Sequence, residues 1–215
     1  MNPTQHTHPP PTETFSGELP AESVPAWLHP VSRKYLHERG LSEQETADYD
    51  LQYCEGGLWK HRIIIPIYNV EDRLIAYQGR IIDPAYTGKD KYRTAGCRPL
   101  YKPWDRDPDI DVQTAIIAEG PFDVIALARV LPTVATLGFM PSIRQLGELI
   151  ILATKWHIQT YIIWYDQEAT QEAYNLQLKL RPYVDTHVII QPDGYKDPGD
   201  MPPEAIDHTL TQEGF

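Results

Sequence analysis

Cysteine is scarce: the 215-residue chain has two, Cys54 and Cys97. Two are too few for a disulfide framework, and without histidines at ligand spacing they cannot close a zinc ribbon. They read as two unrelated thiols, as expected of a reducing compartment. Long apolar runs are missing as well. No stretch reaches 18 apolar residues, so no transmembrane helix is expected. The first residues lack the basic-then-apolar order of a secretory leader, and a cytoplasmic protein is expected. Positions 1–29 hold three acids and no Lys or Arg. Within them, residues 1–23 are rich in Pro, Thr, His and Glu without apolar periodicity, and read as a disordered tail. His6 and His8 fall in that tail as solvated side chains.

What is present is enough for a core. Hydrophobic residues make up 41% of the chain, which fits one large domain or two small ones. The net charge is −11, but it is unevenly spread. Residues 30–106 carry 13 basic and 11 acidic side chains, whereas residues 107–215 carry 6 basic and 16 acidic. An acidic region beside a basic one suits a charged ligand bound through a metal ion.

Element signals follow in a clear order. VSRKYLHERG (31–40) has Val31, Tyr35 and Leu36 at helical spacing and Gly40 as a stop. LSEQETADY starts a second short helix, with Ser42 as N-cap and Glu45 three residues on. LQYC, HRIIIPIYN and RLIAYQGRIID read as strands, the last two joined as a hairpin through the NVED turn. TGKDKYRTAGCRPLYKPW reads as a basic, aromatic loop. Residues 89–104 of it carry Lys89, Lys91, Arg93, Arg98, Lys102, Tyr92, Tyr101 and Trp104, a set that suits a single-stranded nucleic acid and equally an ordinary solvated surface. From 115 onward strands and helices alternate: AIIA, PFDVIALARVL, TVATL, PSIRQLGELIILATKW, TYIIWYD, ATQEAYNLQLKL, THVIIQ. In the second of these helices Ile143, Leu146, Ile150 and Ala153 are expected on one face. Such alternation predicts a mostly parallel sheet with helices on both faces.

In such sheets ligands bind beyond the carboxyl ends of the strands. The first of these strands ends at Glu119-Gly120, with Asp123 on the first turn of the next helix. The third, in YIIWYDQEAT (161–170), runs into Asp166 and Glu168. The fourth leads to PDGYKDPGD, with Asp197 and Asp200. Singly, each acid has an ordinary explanation as a helix-start or turn residue. Together, acids from three strand ends on one edge repel unless a cation lies between them. Oxygen ligands of this kind suit Mg²⁺ or Mn²⁺, ions that serve phosphate chemistry.

EGPFD (119–123), the D-x-acid at 166–168 and the later Asp197-Pro198 resemble the TOPRIM domain of bacterial-type primases, topoisomerases, recombination-mediator proteins and some nucleases. Upstream, YLHERGLS (35–42), HRIIIPIYN (61–69), Gly79-Arg80 and Lys91-Tyr92, in that order, resemble the catalytic core of bacterial and phage DNA primases. The resemblance runs from about residue 31 to 201. It implies an α/β fold, a TOPRIM-type mostly parallel sheet preceded by a small α+β subdomain. The implied division is a tail at 1–23, a template-binding subdomain at 24–110, the TOPRIM domain at 111–201 and a C-terminal tail at 202–215. It implies metal-dependent synthesis of short RNA primers on single-stranded DNA during replication. Glu119 would be the general base or acid. Asp123, Asp166, Glu168 and Asp197 would hold Mg²⁺ or Mn²⁺, with no zinc. Arg80, Lys91 and Tyr92, joined by Arg39 and Arg62, would contact template or nucleotide phosphates. Single-stranded DNA, nucleoside triphosphates and a replicative helicase are the implied partners, with no membrane and a monomer as the expected state.

The chain departs from the family pattern in three places. Asp166-Gln167-Glu168 stands for the usual D-x-D, Asp197-Pro198-Gly199-Asp200 for D-P-D, and Arg93-Thr94 where an Asn is common two residues after the tyrosine. The zinc-binding and helicase-binding domains usual in the family are not expected, which suits a compact phage or mobile-element primase. Two other functions fit the same acids: a phosphodiester-cleaving nuclease, and a weakened module that binds single strands or a replication partner.

Overall fold

The computed structural model describes residues 15–83, 85, 90–106 and 112–215. Residues 1–14, with His6 and His8, and Lys89 and the expected subdomain border at 110 lie outside the described residues.

Two helices lie between the first and second strands. α1 (Pro30–Glu38) begins with proline in its first turn, and His29 Nδ1 accepts the Val31 N–H. α2 (Glu43–Asp48) forms on the expected capping box: Ser42 Oγ accepts the Glu45 N–H at 3.2 Å and Glu45 Oε2 accepts the Ser42 N–H at 2.9 Å. Five strands then make an antiparallel sheet in sequence order: β1 (Ser23–Pro25), β2 (Gln52–Cys54), β3 (Arg62–Tyr68), β4 (Leu74–Ile81) and β5 (Tyr92–Gly96). β3 and β4 are the predicted hairpin, closed by Asn69 Oδ1, which accepts the Glu71 and Arg73 N–H groups. β5 lies where a loop was expected. Its register sets Tyr92 opposite Arg80.

The Ile63–Ile67 run does not alternate because both faces of the sheet are covered. Ile63, Ile65 and Ile67 point into a core with Leu36, Tyr53 and Ala76. Ile64 points the other way, into a cluster with Trp59, Tyr77 and Ala95 that Phe15 and Leu19 close over. Phe15 lies 5.9 Å from Tyr77, centroid to centroid. The expected tail is thus too long by at least nine residues: 15–23 cap the outer face of this sheet and start it with β1.

The second half is a four-stranded parallel sheet. β6 (Thr114–Ala118), β7 (Thr133–Ala135), β8 (Thr160–Trp164) and β9 (Asp185–Ile189) lie in the order β7-β6-β8-β9. α3 (Pro121–Leu127) and α6 (Pro203–Gln212) cover one face, where Leu127, Ile206 and Leu210 meet Ile116, Ile162 and Trp164. α4 (Ile143–Lys155) and α5 (Thr170–Leu180) cover the other, where Leu149, Leu152 and Leu176 meet Ile117, Tyr161 and Ile163. One expectation is corrected here. Residues 202–215 are not a tail, because α6 buries Ile206 and Leu210. The fully buried positions of α4 are Gln145, Leu149, Leu152 and Ala153, while Ile143 is 89% exposed. Gln145 sits in the buried stripe because its Nε2 donates to the Thr136 and Pro99 carbonyls.

The two sheets share a core. Phe122, Val124, Ile125, Ala135 and Leu137 pack into the same cluster as Ile63, Ile65 and Leu36. Arg129 reinforces the join from behind α3, pairing with Glu45 at 2.8 Å and donating to the Gly40 carbonyl. The basic and acidic regions of the sequence are therefore held face to face. No helix among the described residues is long and apolar enough to cross a membrane.

Candidate metal centre

The order of the parallel sheet reverses between β6 and β8, and a crevice forms beyond their carboxyl ends. Glu119 follows β6 directly and Asp166 lies two residues past β8. The 3₁₀ turn Pro198–Asp200 packs against α3 and brings Asp197 to the same edge. Oxygens of Asp123, Asp166 and Asp197 lie within 4.8 Å of one another.

Asp123 is the best anchored of the three. It occupies the first turn of α3, where its Oδ2 accepts the Gly120 N–H at 2.8 Å. Its Oδ1 accepts the Gly199 N–H at 3.2 Å. A Cβ at Gly199 would fall 3.0 Å from Asp123 Oδ1 and 3.2 Å from Asp197 Oδ1, so a larger residue there would push on both carboxylates. Oδ1 of Asp166 and Oδ1 of Asp197 are buried without a partner. Buried carboxylate oxygens left bare beside one another are costly, and a bound proton or a divalent cation would satisfy them.

The electrostatics agree. Burial pushes Glu119 up to about 7, helped by Asp166 and Asp197 and opposed by Lys91 and Arg98. Burial and Asp197 push Asp166 up to about 6, against Lys91 and Lys196. Burial, then the charges of Asp166 and Asp197, hold Asp123 well above the ordinary carboxylate range. Glu168 is exposed and stands outside this triad, although it lines a pocket with Glu119 and Asp166.

The cations sort into three kinds. Lys91 is exposed and its field reaches Glu119, Asp166 and Asp197. Arg80 is buried in a cage of rings, 5.1 Å from the Tyr92 centroid, 5.3 Å from Phe122 and 5.7 Å from Tyr35. It donates to the Tyr92 hydroxyl, and its Nε has no partner. Arg62 is a correction to the expected phosphate contacts. Its side chain is buried and donates to the carbonyls of Gly79, Lys91 and Asp90, so it fixes the segment that carries Lys91.

Arg39 is also turned inward. Its Nε donates to the Tyr35 hydroxyl at 2.7 Å, its Nη1 to the Gly199 carbonyl at 3.4 Å, and its Nη2 pairs with Asp200 at 3.1 Å. Asp200 is thereby engaged away from the triad. Arg39 and Asp123 grip the Gly199 peptide from its two ends. Arg39→Ala is expected to weaken Mn²⁺ affinity about tenfold, the usual cost of losing a group that orients metal ligands, with single-strand affinity nearly unchanged. Titration calorimetry with each ligand checks this; unchanged metal affinity with lost DNA affinity would return Arg39 to the template.

Two aromatic residues expected to face a template are core residues. Tyr101 bridges Ala135, and Trp104 Nε1 donates to the Thr133 carbonyl at 2.8 Å. Sequence reasoning passed over Lys196, which abuts Asp197, and Phe139, which lines the Glu119 pocket. Lys196 could have been found from its place beside a candidate ligand. Phe139 offered no motif. The cysteines are free, Cys54 buried and Cys97 exposed.

No family model matches the chain. Among curated proteins it is similar to DNA primases of Neisseria meningitidis, from serogroup A and from serogroup B, each 24% identical over 47% of this chain. The match spans 23% of those relatives' length. Solved structures share the fold more widely. The DnaG primase catalytic domain bound to single-stranded DNA superposes with a TM-score of 0.70 at 21% identity, covering 87% of this chain and 74% of that one. The RNA polymerase domain of Mycobacterium tuberculosis DnaG, in complex with a double-stranded DNA oligomer with a 6-nucleotide overhang, gives 0.71 at 19%, covering 87% and 74%. The E. coli primase catalytic core gives 0.67 at 20%, covering 87% and 75%. An antiparallel sheet joined to a four-stranded parallel sheet in this way is the fold of bacterial-type primase catalytic cores.

Proposed function

We propose that this chain, built on the fold of bacterial-type primase catalytic cores, is a metal-dependent nucleotidyltransferase that joins ribonucleotides into short primers on single-stranded DNA. The observation that carries the proposal is the meeting of Asp123, Asp166 and Asp197 within 4.8 Å, with two buried oxygens unpaired. The parallel sheet and its strand-end acids fit the TOPRIM pattern, and the donor set fits Mg²⁺ or Mn²⁺. When bound, such ions neutralise phosphate charge and acidify a coordinated hydroxyl.

The chain's own groups have separable tasks. Asp123, Asp166 and Asp197 would hold the metal, with Glu168 as an outlying ligand. Glu119, pushed up to about 7 in the metal-free fold, suits transfer of the 3′-hydroxyl proton. Lys91 would meet the nucleotide phosphates from the open side. Arg80, with its free Nε and its ring cage, would meet them from below. Tyr92 keeps Arg80 in place and, raised by burial, stays a neutral donor. Template DNA, nucleoside triphosphates and a replicative helicase are the proposed partners.

The test is primer synthesis. Purified protein is mixed with single-stranded DNA, labelled ribonucleotides and Mg²⁺ or Mn²⁺, with Glu119→Gln in parallel. Short labelled products that vanish in the variant are expected. Shortened template without products would replace this reading with a nuclease.

A further inference from the structure

Phe139 is 42% exposed, yet it stands among acidic side chains. It forms one wall of a pocket of about 210 Å³ whose other walls are Glu119, Asp166, Glu168, Ala169 and Glu172. An exposed phenyl ring among four carboxylates gains nothing from the fold, so its position asks for a ligand with an aromatic face and polar edges.

The backbone beneath the ring is built for that position. Leu137 and Gly138 both have left-handed φ, 57° and 127°. That conformation is unfavourable for leucine and needs its surroundings to impose it. They do. The Thr136 N–H donates to the Ala118 carbonyl at 3.2 Å and the Gly138 N–H to the Glu119 carbonyl at 3.0 Å. Thr136 Oγ1 donates to the Gly138 carbonyl at 2.8 Å, and Gln145 Nε2 to the Thr136 carbonyl at 2.7 Å. The Leu137 side chain anchors the turn in the core shared by the two sheets. Phe139 is thus fixed to the same backbone as Glu119.

We propose that Phe139 is a stacking platform for the base of a nucleoside triphosphate. The proposal rests on the reading of Asp123, Asp166 and Asp197 as the site for its metal-bound phosphates. Base–aromatic stacking tolerates any base. Glu172, which lines the same pocket, is an acceptor for exocyclic amino groups or ribose hydroxyls. A ligand of phosphate alone has no use for the ring, and a purely apolar ligand would not enter among the acids. The buried, unpaired oxygen of Asp197, a residue 6% exposed, gives the phosphate end its own independent mark.

The experiment compares two ligands on the full chain in excess Mg²⁺: ATP and inorganic tripolyphosphate, titrated by calorimetry into wild type, Phe139→Ala and Phe139→Tyr. Phe139→Ala is expected to weaken ATP about tenfold or more and to leave tripolyphosphate unchanged, while Phe139→Tyr, which keeps the ring, binds both as wild type does. Unchanged ATP affinity in Phe139→Ala overturns the platform alone. Equal weakening of both ligands also overturns it, since the substitution would then act by disturbing the turn. Wild type that binds no tripolyphosphate overturns the metal-site reading and the platform with it.

Discussion

Asp166→Asn is expected to lower metal-dependent nucleotide joining about a hundred- to a thousandfold and, in the same protein, to raise the melting temperature measured without metal. The two effects have one cause. Asp166 faces Asp123 and Asp197 with a bare buried oxygen, and its ionised form is disfavoured by burial and by Asp197. Asparagine keeps the shape and removes the charge. Without metal this relieves repulsion by about 1 kcal/mol, after allowance for the residue's partial exposure to water, or roughly 2–4 °C in a chain of this size. With metal the same change removes a ligand. Stability gained where activity is lost is the signature of a site kept under strain for function. Calorimetric melting in EDTA, set beside the primer assay, reads both. A metal-free variant that melts below wild type would mean that Asp166 is a structural acid.

The metal-free protein is expected to lose stability as pH rises from about 4.5 to 7, and saturating Mn²⁺ is expected to abolish the slope. Glu119 and Asp166 titrate at about 7 and about 6 in the folded chain, and Asp123 also lies above its ordinary range. A carboxyl raised by folding binds more protons when folded than when unfolded, so stability falls with pH between its two values. Glu45 and Asp90 have the opposite sign, since their values are lowered in the fold. Their contribution disappears below about pH 4, outside this window. A divalent ion held by the ionised cluster would, at a hundred times its dissociation constant, add about 2.7 kcal/mol, or roughly 5–10 °C. Melting curves in EDTA and in Mn²⁺ across pH 4.5–8 decide it. A flat or rising EDTA profile would refute the coupling of these acids.

The acidic half of the site was legible because its logic is local. A strand that ends in a carboxylate places it at a sheet edge, and a parallel sheet with one order reversal collects those edges. Glu119, Asp123, Asp166 and Asp197 needed nothing further to be singled out. Glu168 was read with them as the second acid at the end of its strand, but the chain turns into a 3₁₀ helix at Gln167–Ala169, which leaves Glu168 exposed. The basic half was less legible. Lys91, Arg80, Arg62 and Arg39 look alike in sequence, yet one is exposed, one is caged by rings and two are turned into the structure.

By itself, then, the sequence determined the capped α2, the β3–β4 hairpin, the alternation of strands and helices that makes the parallel sheet, and the strand ends from which the acids project. Periodicity, turn chemistry and caps act within a few residues of one another, and they are written in the chain. Tertiary structure alone decided that Phe15 and Leu19 close the outer face of the first sheet, that α6 belongs to the second, and that Trp104 and Tyr101 are core. It decided that Arg39 holds the Gly199 peptide from a position 160 residues away. It decided too that Phe139 stands over the Glu119 pocket. A long polar side chain reaches whichever acceptor folding brings near, and an aromatic ring is buried or bare according to what packs over it. Both depend on contacts between segments far apart in the chain, which no local pattern encodes.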